Sequence, residues 1–266
     1  MGLKVEKLFI MKNNNILKII YFLFYYIYQI IINIIFFLVL LVPIFFLFIL
    51  NDKDKRSIIA TKSFKIFYPI LFKLIFLELI FIDPYKLLKK SLSEPTMFIF
   101  NHTHPIDPFM AGQGLPTNNV WLAKGAIIKY PIIGFLLKYS NILIPVKKEK
   151  TFLESIDNIL HKIKLNKNKP SIGAFPEGYI SNNKKIKPFK SGPFYIAIKQ
   201  KMPICMIYIE DCTQGFNINP FLLNPGSMKY HVLEIIQTNN ISLKDIDGFK
   251  KKAEERYLSK QIELEK

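Results

Sequence analysis

The chain has 266 residues, enough for one medium domain with an appendage, and half of them are hydrophobic. Its formal net charge of +17 comes from 37 Lys and Arg against 20 Asp and Glu. Nucleic acid, an anionic membrane or an anionic substrate could explain this balance, and so could a compositional bias toward Lys. No RNP-like or zinc pattern accompanies the charge, so it does not indicate nucleic-acid binding. Cys205 and Cys212 have the spacing of neither a disulfide framework nor a metal site.

Two apolar stretches dominate the first 90 residues. No charged residue occurs from Ile19 to Leu50, and lysines flank this stretch on both sides. Basic residues on both flanks favour a re-entrant or interfacial helix, and a single transmembrane anchor stays open. The second stretch, Phe64 to Ile82, carries three charged residues and predicts another helix at the membrane interface. We therefore expect residues 1–90 to form a hydrophobic, membrane-associated element of two helices.

From about residue 91 the pattern becomes that of an α/β domain, which we assign to residues 91–266. Short apolar runs predict buried strands at Thr96–Phe100, Ile142–Val146, Ser171–Phe175 and Pro203–Ile209. Helical spacing of apolar residues predicts a helix over Thr151–Leu165. Ser242 and Asp245 form a capping box before a last helix that runs toward Lys266. We expect the charges of this last helix to form a solvated face.

Two polar clusters directly follow two of the predicted strands. The first runs from Asn101 to Pro108 and contains His102, His104 and Asp107; the second is Phe175-Pro-Glu-Gly178. Ligands of open α/β sheets bind beyond the carboxyl ends of the strands. The sequence therefore predicts a site that both clusters share.

His102 and Asp107 are spaced so that two interpretations stay open. On one helix, residues five apart point about 140° away from each other, so a helix would separate them. A turn containing Pro105 would instead return the Asp107 carboxylate to the imidazole, and His102 could then act as a general base. Alternatively, Asp107 is simply a helix N-cap with Pro108 in the first turn.

Together the two clusters resemble the motifs of the glycerolipid acyltransferase family (PlsC type), which includes 1-acylglycerol-3-phosphate acyltransferases. The first family motif, Asn-His-x-Ser-x-x-Asp, matches Asn101, His102 and Asp107. The third, Phe-Pro-Glu-Gly-Thr-Arg-Ser, matches Phe175, Pro176, Glu177, Gly178 and Ser181. Weaker matches are Lys148 in the second motif, Pro203 in the fourth, and Lys190 with Gly192 after the third. The resemblance covers about residues 91–210.

This resemblance implies a sheet flanked by helices and the transfer of a fatty acyl group to a lipid hydroxyl. The donor would be acyl-CoA or acyl-carrier protein, with no cofactor and no metal. His102 would be the general base, and Asp107 would hold it. Substrate-binding roles are implied for Asn101, Lys148, Phe175, Pro176, Glu177, Gly178, Ser181 and Lys190. The resemblance favours 1-acyl-sn-glycerol-3-phosphate as the acceptor in phospholipid biosynthesis, with membrane lipids as partners and the site on the cytoplasmic face of a membrane.

The chain departs from the family motifs at three positions. His104 stands where Ser is usual, and Tyr179-Ile180 stands where Thr-Arg is usual. That Arg is associated with the acceptor phosphate, so a lyso-aminolipid or lyso-phospholipid without a phosphomonoester stays open as acceptor. Otherwise lysines would substitute for it, the candidates being Lys124, Lys148, Lys184 and Lys185. Two further alternatives are a metal site of His102, His104, Asp107 and Glu177, and a non-catalytic lipid-binding protein on the same fold.

Overall fold

The computed structural model describes most of the chain from residue 52 onward. The described ranges are 52–74, 77–83, 86–88, 94–104, 107–116, 119–129, 131–146, 169–181, 185–210 and 226–266, with single positions between 20 and 34 and between 156 and 163. The chain divides into two compact units, Met1–Val42 and Pro43–Lys266. In the first unit the described positions are helical, and seven of them present exposed large apolar side chains. These are Ile20, Leu23, Phe24, Ile27, Ile30, Ile31 and Ile34.

A mixed sheet with flanking helices forms the second unit, which confirms the predicted α/β class. Its helices are α1 (Lys53–Leu74), α2 (Asp107–Gly114), α3 (Pro131–Ser140), α4 (Gly192–Gln200) and α5 (Ile246–Glu265). Its strands are β1 (Leu77–Ile82), β2 (Met97–Phe100), β3 (Asn119–Lys124), β4 (Leu143–Val146), β5 (Ser171–Ala174), β6 (Ile204–Ile209) and β7 (Gly226–Ile236). Short 3₁₀ turns at Gly125–Lys129 and Leu243–Asp245 connect β3 to α3 and lead into α5.

The strands form one sheet in the order β1-β7-β6-β2-β5-β3-β4. Every neighbouring pair is parallel except β6 and β7. In the parallel pair at the centre, Ile99 of β2 lies beside Ala174 of β5. The chain segments that follow these two strands therefore leave the sheet at the same edge, side by side.

Alternate residues of β2 enter cores on opposite faces of the sheet, because side chains along a strand point alternately up and down. Met97 and Ile99 belong to the main core, with residues of α4 and α5. Phe100 instead lies near Trp121 and Tyr230 on the other face. All four residues of β2 are fully buried, as expected for a central strand of a covered sheet.

The predicted helix over Phe64–Ile82 is wrong in its second half. Helix α1 ends at Leu74, and β1 follows as a strand that pairs in parallel with the first half of β7. The run Leu-Glu-Leu-Ile-Phe-Ile is rich in β-branched and aromatic residues, which suit a pleated surface when a partner strand is present. The half-buried Lys65, whose pKa burial lowers, donates from its ammonium to the Leu115 carbonyl. The Lys65 ammonium therefore has a hydrogen-bond acceptor within the protein.

The expected two-helix membrane element is not supported as a pair of helices, because β1 belongs to the sheet. The first apolar stretch, Ile19 to Leu50, lies almost wholly outside the described residues. Among the helices that the structure does describe, none combines the length and the apolarity needed to cross a bilayer. The boundary near residue 91 stays a prediction, with one strand of the sheet ahead of it.

Candidate active site

A hydrogen-bonded pair, His102 and Asp107, lies just beyond the carboxyl end of β2. His102 Nδ1 is 3.0 Å from Asp107 Oδ2. A carboxylate can only accept, so the imidazole donates from Nδ1–H and leaves Nε2 as the nitrogen that can accept a proton. The Asp107 side chain is fully buried, whereas the His102 side chain keeps 15% of its surface exposed. The ring can therefore reach a ligand while its orienting carboxylate is shielded from water.

Asp107 is held by the turn that precedes α2. Its Oδ2 accepts from the backbone N–H groups of Thr103 and His104, both at 2.8 Å, and its own N–H donates to the His104 carbonyl. Asp107 is also the first residue of α2, where the helix dipole favours a negative charge. The carboxylate that orients His102 therefore also lies at a favourable position for the helix. Within the described part of the chain, Asp107 Oδ1 is buried without a hydrogen-bond donor.

Glu177 holds the backbone of His102 rather than its imidazole ring. Its Oε1 accepts from the His102 N–H at 2.9 Å, and its Oε2 accepts from the Lys187 N–H at 3.1 Å. The residue is 1% exposed and is not among those that line the cavity described below. Burial raises the pKa of Glu177, and the two backbone N–H groups oppose this by favouring the charged form.

Asn101 and Ser181 complete this framework. The Asn101 side-chain amide makes two hydrogen bonds with the backbone of Ile209, donating to its carbonyl at 3.0 Å and accepting from its N–H at 2.6 Å. This pair fixes the end of β2 to the end of β6. The Ser181 N–H donates to the His102 carbonyl at 2.8 Å, while its hydroxyl donates to the Lys185 carbonyl at 2.6 Å. Both residues therefore hold the backbone on which His102 sits.

A tight turn places Gly178 beneath the side chain of Lys190. The Gly178 N–H donates to the Phe175 carbonyl across Pro176 and Glu177, and Gly178 has a φ of +74°. Only glycine adopts this conformation without strain. A Cβ atom at this position would lie 2.5 Å from Lys190 Nζ. The glycine thus leaves the space through which the Lys190 side chain passes.

The aromatic ring of Phe175 forms one wall of the site. It stacks on the His102 imidazole with a centroid distance of 4.2 Å, and Trp121 stacks on it from β3 at 5.6 Å. Gly173 of β5 permits this approach, because a Cβ there would lie 2.6 Å from the Trp121 ring. The stack fixes the plane of the imidazole that Asp107 already holds at one edge.

A cavity of about 1010 Å³ opens beside the exposed part of His102. This is at the upper end of the range of about 300–1,000 Å³ for pockets that hold small molecules. Much of its wall is aliphatic or aromatic, including Trp121, Leu137, Ile142, Ile156 and Ile159. Ile180, at the position of the family Arg, also lines it. An apolar chain would fit here with its reactive end at the imidazole.

The predicted site residues fall into two groups in the structure. His102, Phe175, Pro176, Gly178 and Lys190 line the cavity. Behind them, Asn101, Asp107, Glu177 and Ser181 hold the backbone or the imidazole ring of the first group. Lys148 and Lys184 lie outside the described residues. In the described part of the chain, His102, His104, Asp107 and Glu177 do not form a group that could hold a metal ion.

Three contributors to the site are absent from the sequence prediction: Trp121, Lys250 and Tyr257. Trp121 and Lys250 line the cavity. The fully buried Tyr257 of α5 donates from its hydroxyl to the Ile99 carbonyl at 2.6 Å and accepts from the Ile207 N–H at 3.1 Å. The sequence does carry a signal for Tyr257: the apolar and aromatic residues Phe249, Ala253 and Tyr257 recur at helical spacing, which predicts a buried face of α5.

Comparisons with known proteins find related sequences and a related fold. Residues 82–210 match the sequence pattern of the family described as Acyltransferase. The 1-acyl-sn-glycerol-3-phosphate acyltransferase of Saccharomyces cerevisiae is 26% identical over 174 residues, which are 64% of this chain and 57% of the yeast protein. Human 1-acyl-sn-glycerol-3-phosphate acyltransferase beta is 23% identical over 195 residues, covering 73% of this chain and 66% of the relative. The chain thus spans about three fifths of the length of these relatives.

A solved structure shares the fold. The crystal structure of the 1-acyl-sn-glycerophosphate acyltransferase PlsC from Thermotoga maritima superposes with a TM-score of 0.67. The match covers 91% of this chain and 98% of that chain at 18% identity. Residues 82–210, just under half of the chain, therefore match the Acyltransferase family, and the chain is similar in sequence to 1-acyl-sn-glycerol-3-phosphate acyltransferases and in fold to PlsC.

Proposed function

We propose that this protein transfers a fatty acyl group from a thioester donor to the hydroxyl of a lysophospholipid, with 1-acyl-sn-glycerol-3-phosphate as the acceptor. The observation that carries the proposal is the His102–Asp107 pair at the mouth of a largely apolar cavity. The pair supplies a base, and the cavity suits an acyl chain. The names of the yeast and human relatives support this choice of acceptor.

The reaction needs one base and no covalent intermediate. His102 Nε2 takes the proton of the acceptor hydroxyl while the hydroxyl oxygen attacks the thioester carbonyl carbon. The tetrahedral intermediate collapses, the carbon–sulfur bond breaks, and the imidazolium returns its proton to the leaving thiolate. Asp107, bound at Nδ1, stabilises the imidazolium between these two steps. The products are a diacylated lipid and a free thiol.

Acyl-CoA or acyl-carrier protein is the donor in this proposal, and the reaction serves phospholipid biosynthesis. Both donors present an acyl thioester beside phosphate groups, which suits a chain with a net charge of +17. We also propose that the protein works at a membrane surface, with its site on the cytoplasmic face. The exposed apolar side chains between Ile20 and Ile34 would contact lipid there.

Acyl transfer by protein purified in detergent tests the proposal. Acyl-CoA or acyl-carrier protein would be supplied with 1-acylglycerol 3-phosphate, or with lysophospholipids and lyso-aminolipids that lack a phosphomonoester. We expect diacylglycerol 3-phosphate as the main product. Product from only the other acceptors would replace the acceptor assignment but keep the reaction.

Two histidine variants test the mechanism in the same assay. His102→Ala should lower kcat/KM by about 10²–10⁴-fold, the usual contribution of a general base. His161→Ala is the matched control, because His161 is exposed and lies outside the residues that line the cavity. Equal acyl transfer by the two variants would contradict catalysis by His102. Absence of transfer in the native protein as well would favour a non-catalytic lipid-binding role.

A further inference from the structure

The cavity wall has a charge pattern that the proposed chemistry does not use. Three lysines line the cavity: Lys124, Lys190 and Lys250. Among the described residues that line it, there is no Asp, Glu or Arg. A cavity wall with one sign of charge attracts ligands of the opposite sign. The wall is therefore suited to an anionic group as well as to an apolar chain.

Two of these lysines converge on one short segment. Lys250 Nζ of α5 is 3.4 Å from the Ser191 hydroxyl oxygen, and Ser191 directly follows Lys190. The Lys190 backbone is fixed, because its N–H donates to the Pro176 carbonyl at 2.9 Å. Its ammonium lies over Gly178, which also lines the cavity. Two ammonium groups and one hydroxyl, from residues that line the same cavity, are thus available to a ligand.

Asp247 forms an ion pair with Lys250, but this pair leaves the ammonium of Lys250 available to a ligand. Lys250 Nζ is 3.1 Å from Asp247 Oδ1, but the Asp247 side chain is 82% exposed. An exposed pair of this kind contributes little and is weakened by salt. Among the described residues, no carboxylate forms an ion pair with Lys190. A ligand that excludes water would compete successfully with Asp247.

We infer that Lys190, Ser191 and Lys250 form a subsite for a phosphate group of the substrate. Lysines bind phosphate as point charges, and a serine hydroxyl adds a donor that can rotate toward a phosphate oxygen. Lys250 lies outside the span of 82–210 that matches the family, so the family motifs do not include this contribution. The inference rests on the proposed function, because that function supplies the phosphate-bearing substrates.

Two sources of the phosphate share this chemistry. The acceptor carries a phosphomonoester in the proposed reaction, and the thioester donor carries a phosphate next to its pantetheine arm. Lys250→Ala distinguishes them when the KM of each substrate is measured separately. A rise of about tenfold in the KM for 1-acylglycerol 3-phosphate alone would assign the subsite to the acceptor. The same rise for the donor alone would assign it to the donor.

Lys251→Ala is the matched control, because Lys251 is the next residue of α5, is exposed and does not line the cavity. Lys250→Arg should keep most of the affinity, since it keeps the charge. Inorganic phosphate should inhibit the native enzyme competitively, and inhibit Lys250→Ala more weakly. The inference is overturned if Lys250→Ala and Lys251→Ala have the same two KM values while the native protein is active. An inactive native protein would instead contradict the proposed function itself.

Discussion

Replacing Asp107 by Asn separates the charge of this residue from its geometry. Oδ2 makes the contacts to His102 and to the two backbone N–H groups of the turn, whereas Oδ1 has no donor within the described residues. An Asn carbonyl oxygen in the place of Oδ2 can keep all three contacts. Its amide nitrogen then takes the place of Oδ1. The substitution therefore removes one negative charge and leaves the turn intact.

The expected loss follows from the 3.0 Å distance between Asp107 Oδ2 and His102 Nδ1. At an effective dielectric constant of about 20, two unit charges at this distance interact by about 5 kcal/mol, which is an upper bound. Each 1.36 kcal/mol of transition-state stabilisation is about tenfold in rate. We therefore expect Asp107→Asn to lower kcat by about 10²–10⁴-fold. The free energy of unfolding should fall by about 1–3 kcal/mol, because the contacts of Oδ2 are retained but the amide nitrogen is buried without an acceptor among the described residues.

The assay is the release of free CoA during acyl transfer to 1-acylglycerol 3-phosphate, with thermal unfolding measured on the same samples. Combining Asp107→Asn with His102→Ala should cause little further loss, because residues that act as a unit are not additive. The reasoning is refuted if Asp107→Asn unfolds at the same temperature as the native protein and keeps kcat within about threefold of the native value.

Three further predictions concern residues that hold the strands, the backbone or the cavity wall near His102. Tyr257→Phe leaves the Ile99 carbonyl and the Ile207 N–H without their hydroxyl partner, so we expect the free energy of unfolding to fall by about 2 kcal/mol in a denaturant titration. An unchanged midpoint would show that other groups satisfy this backbone. Gly178→Ala forces a Cβ into a left-handed conformation beside Lys190, so it should cost about 1 kcal/mol of stability. Gly178→Ala should also raise the KM for at least one of the two substrates. The effects of Gly178→Ala and Lys190→Ala on that KM should not add in a double-mutant cycle. Burial raises the folded-state pKa of Glu177 above its unfolded value, so its contribution to stability is greatest below the unfolded pKa and is lost as pH rises through the folded pKa. As pH rises from the unfolded-state pKa of Glu177 through its folded-state pKa, the difference in unfolding free energy between the native protein and Glu177→Gln should shrink. A difference that stays constant over this pH range would contradict the raised pKa.

Strands β2, β5 and β6 were predictable because each is a short apolar run near the centre of the sheet, whereas β3 and β7 were not predicted. The prediction of Thr96–Phe100 differs from the observed Met97–Phe100 by one residue, and Pro203–Ile209 differs from Ile204–Ile209 likewise. Strand β1 was not predictable in this way. Its partner in the sheet is β7, about 150 residues later along the chain, and nothing in the local pattern of Leu77–Ile82 indicates that pairing.

The candidate site was predictable as two clusters, but not as an arrangement. The spacing of His102 and Asp107 left a turn and a helix start both open, and the structure contains both. The division between residues that line the cavity and residues that support them depends on side-chain direction, which the motifs do not carry. The charges of α5 were expected to be solvated, and most are exposed. Lys250, Glu254 and Lys260 are exceptions. Lys250 lines the cavity, Glu254 accepts the Phe189 N–H at 2.6 Å, and the Lys260 side chain is only 15% exposed.

The position of Tyr257 bears on where this chain can be truncated or altered. The span that matches the family ends at residue 210, yet the hydroxyl that joins β2 to β6 comes from a helix about 40 residues farther on. A fragment ending at residue 210 would contain every recognised motif and still lack part of the core beneath His102. The span that matches the family is thus smaller than the packed unit, and the last helix contributes to the interior of that unit.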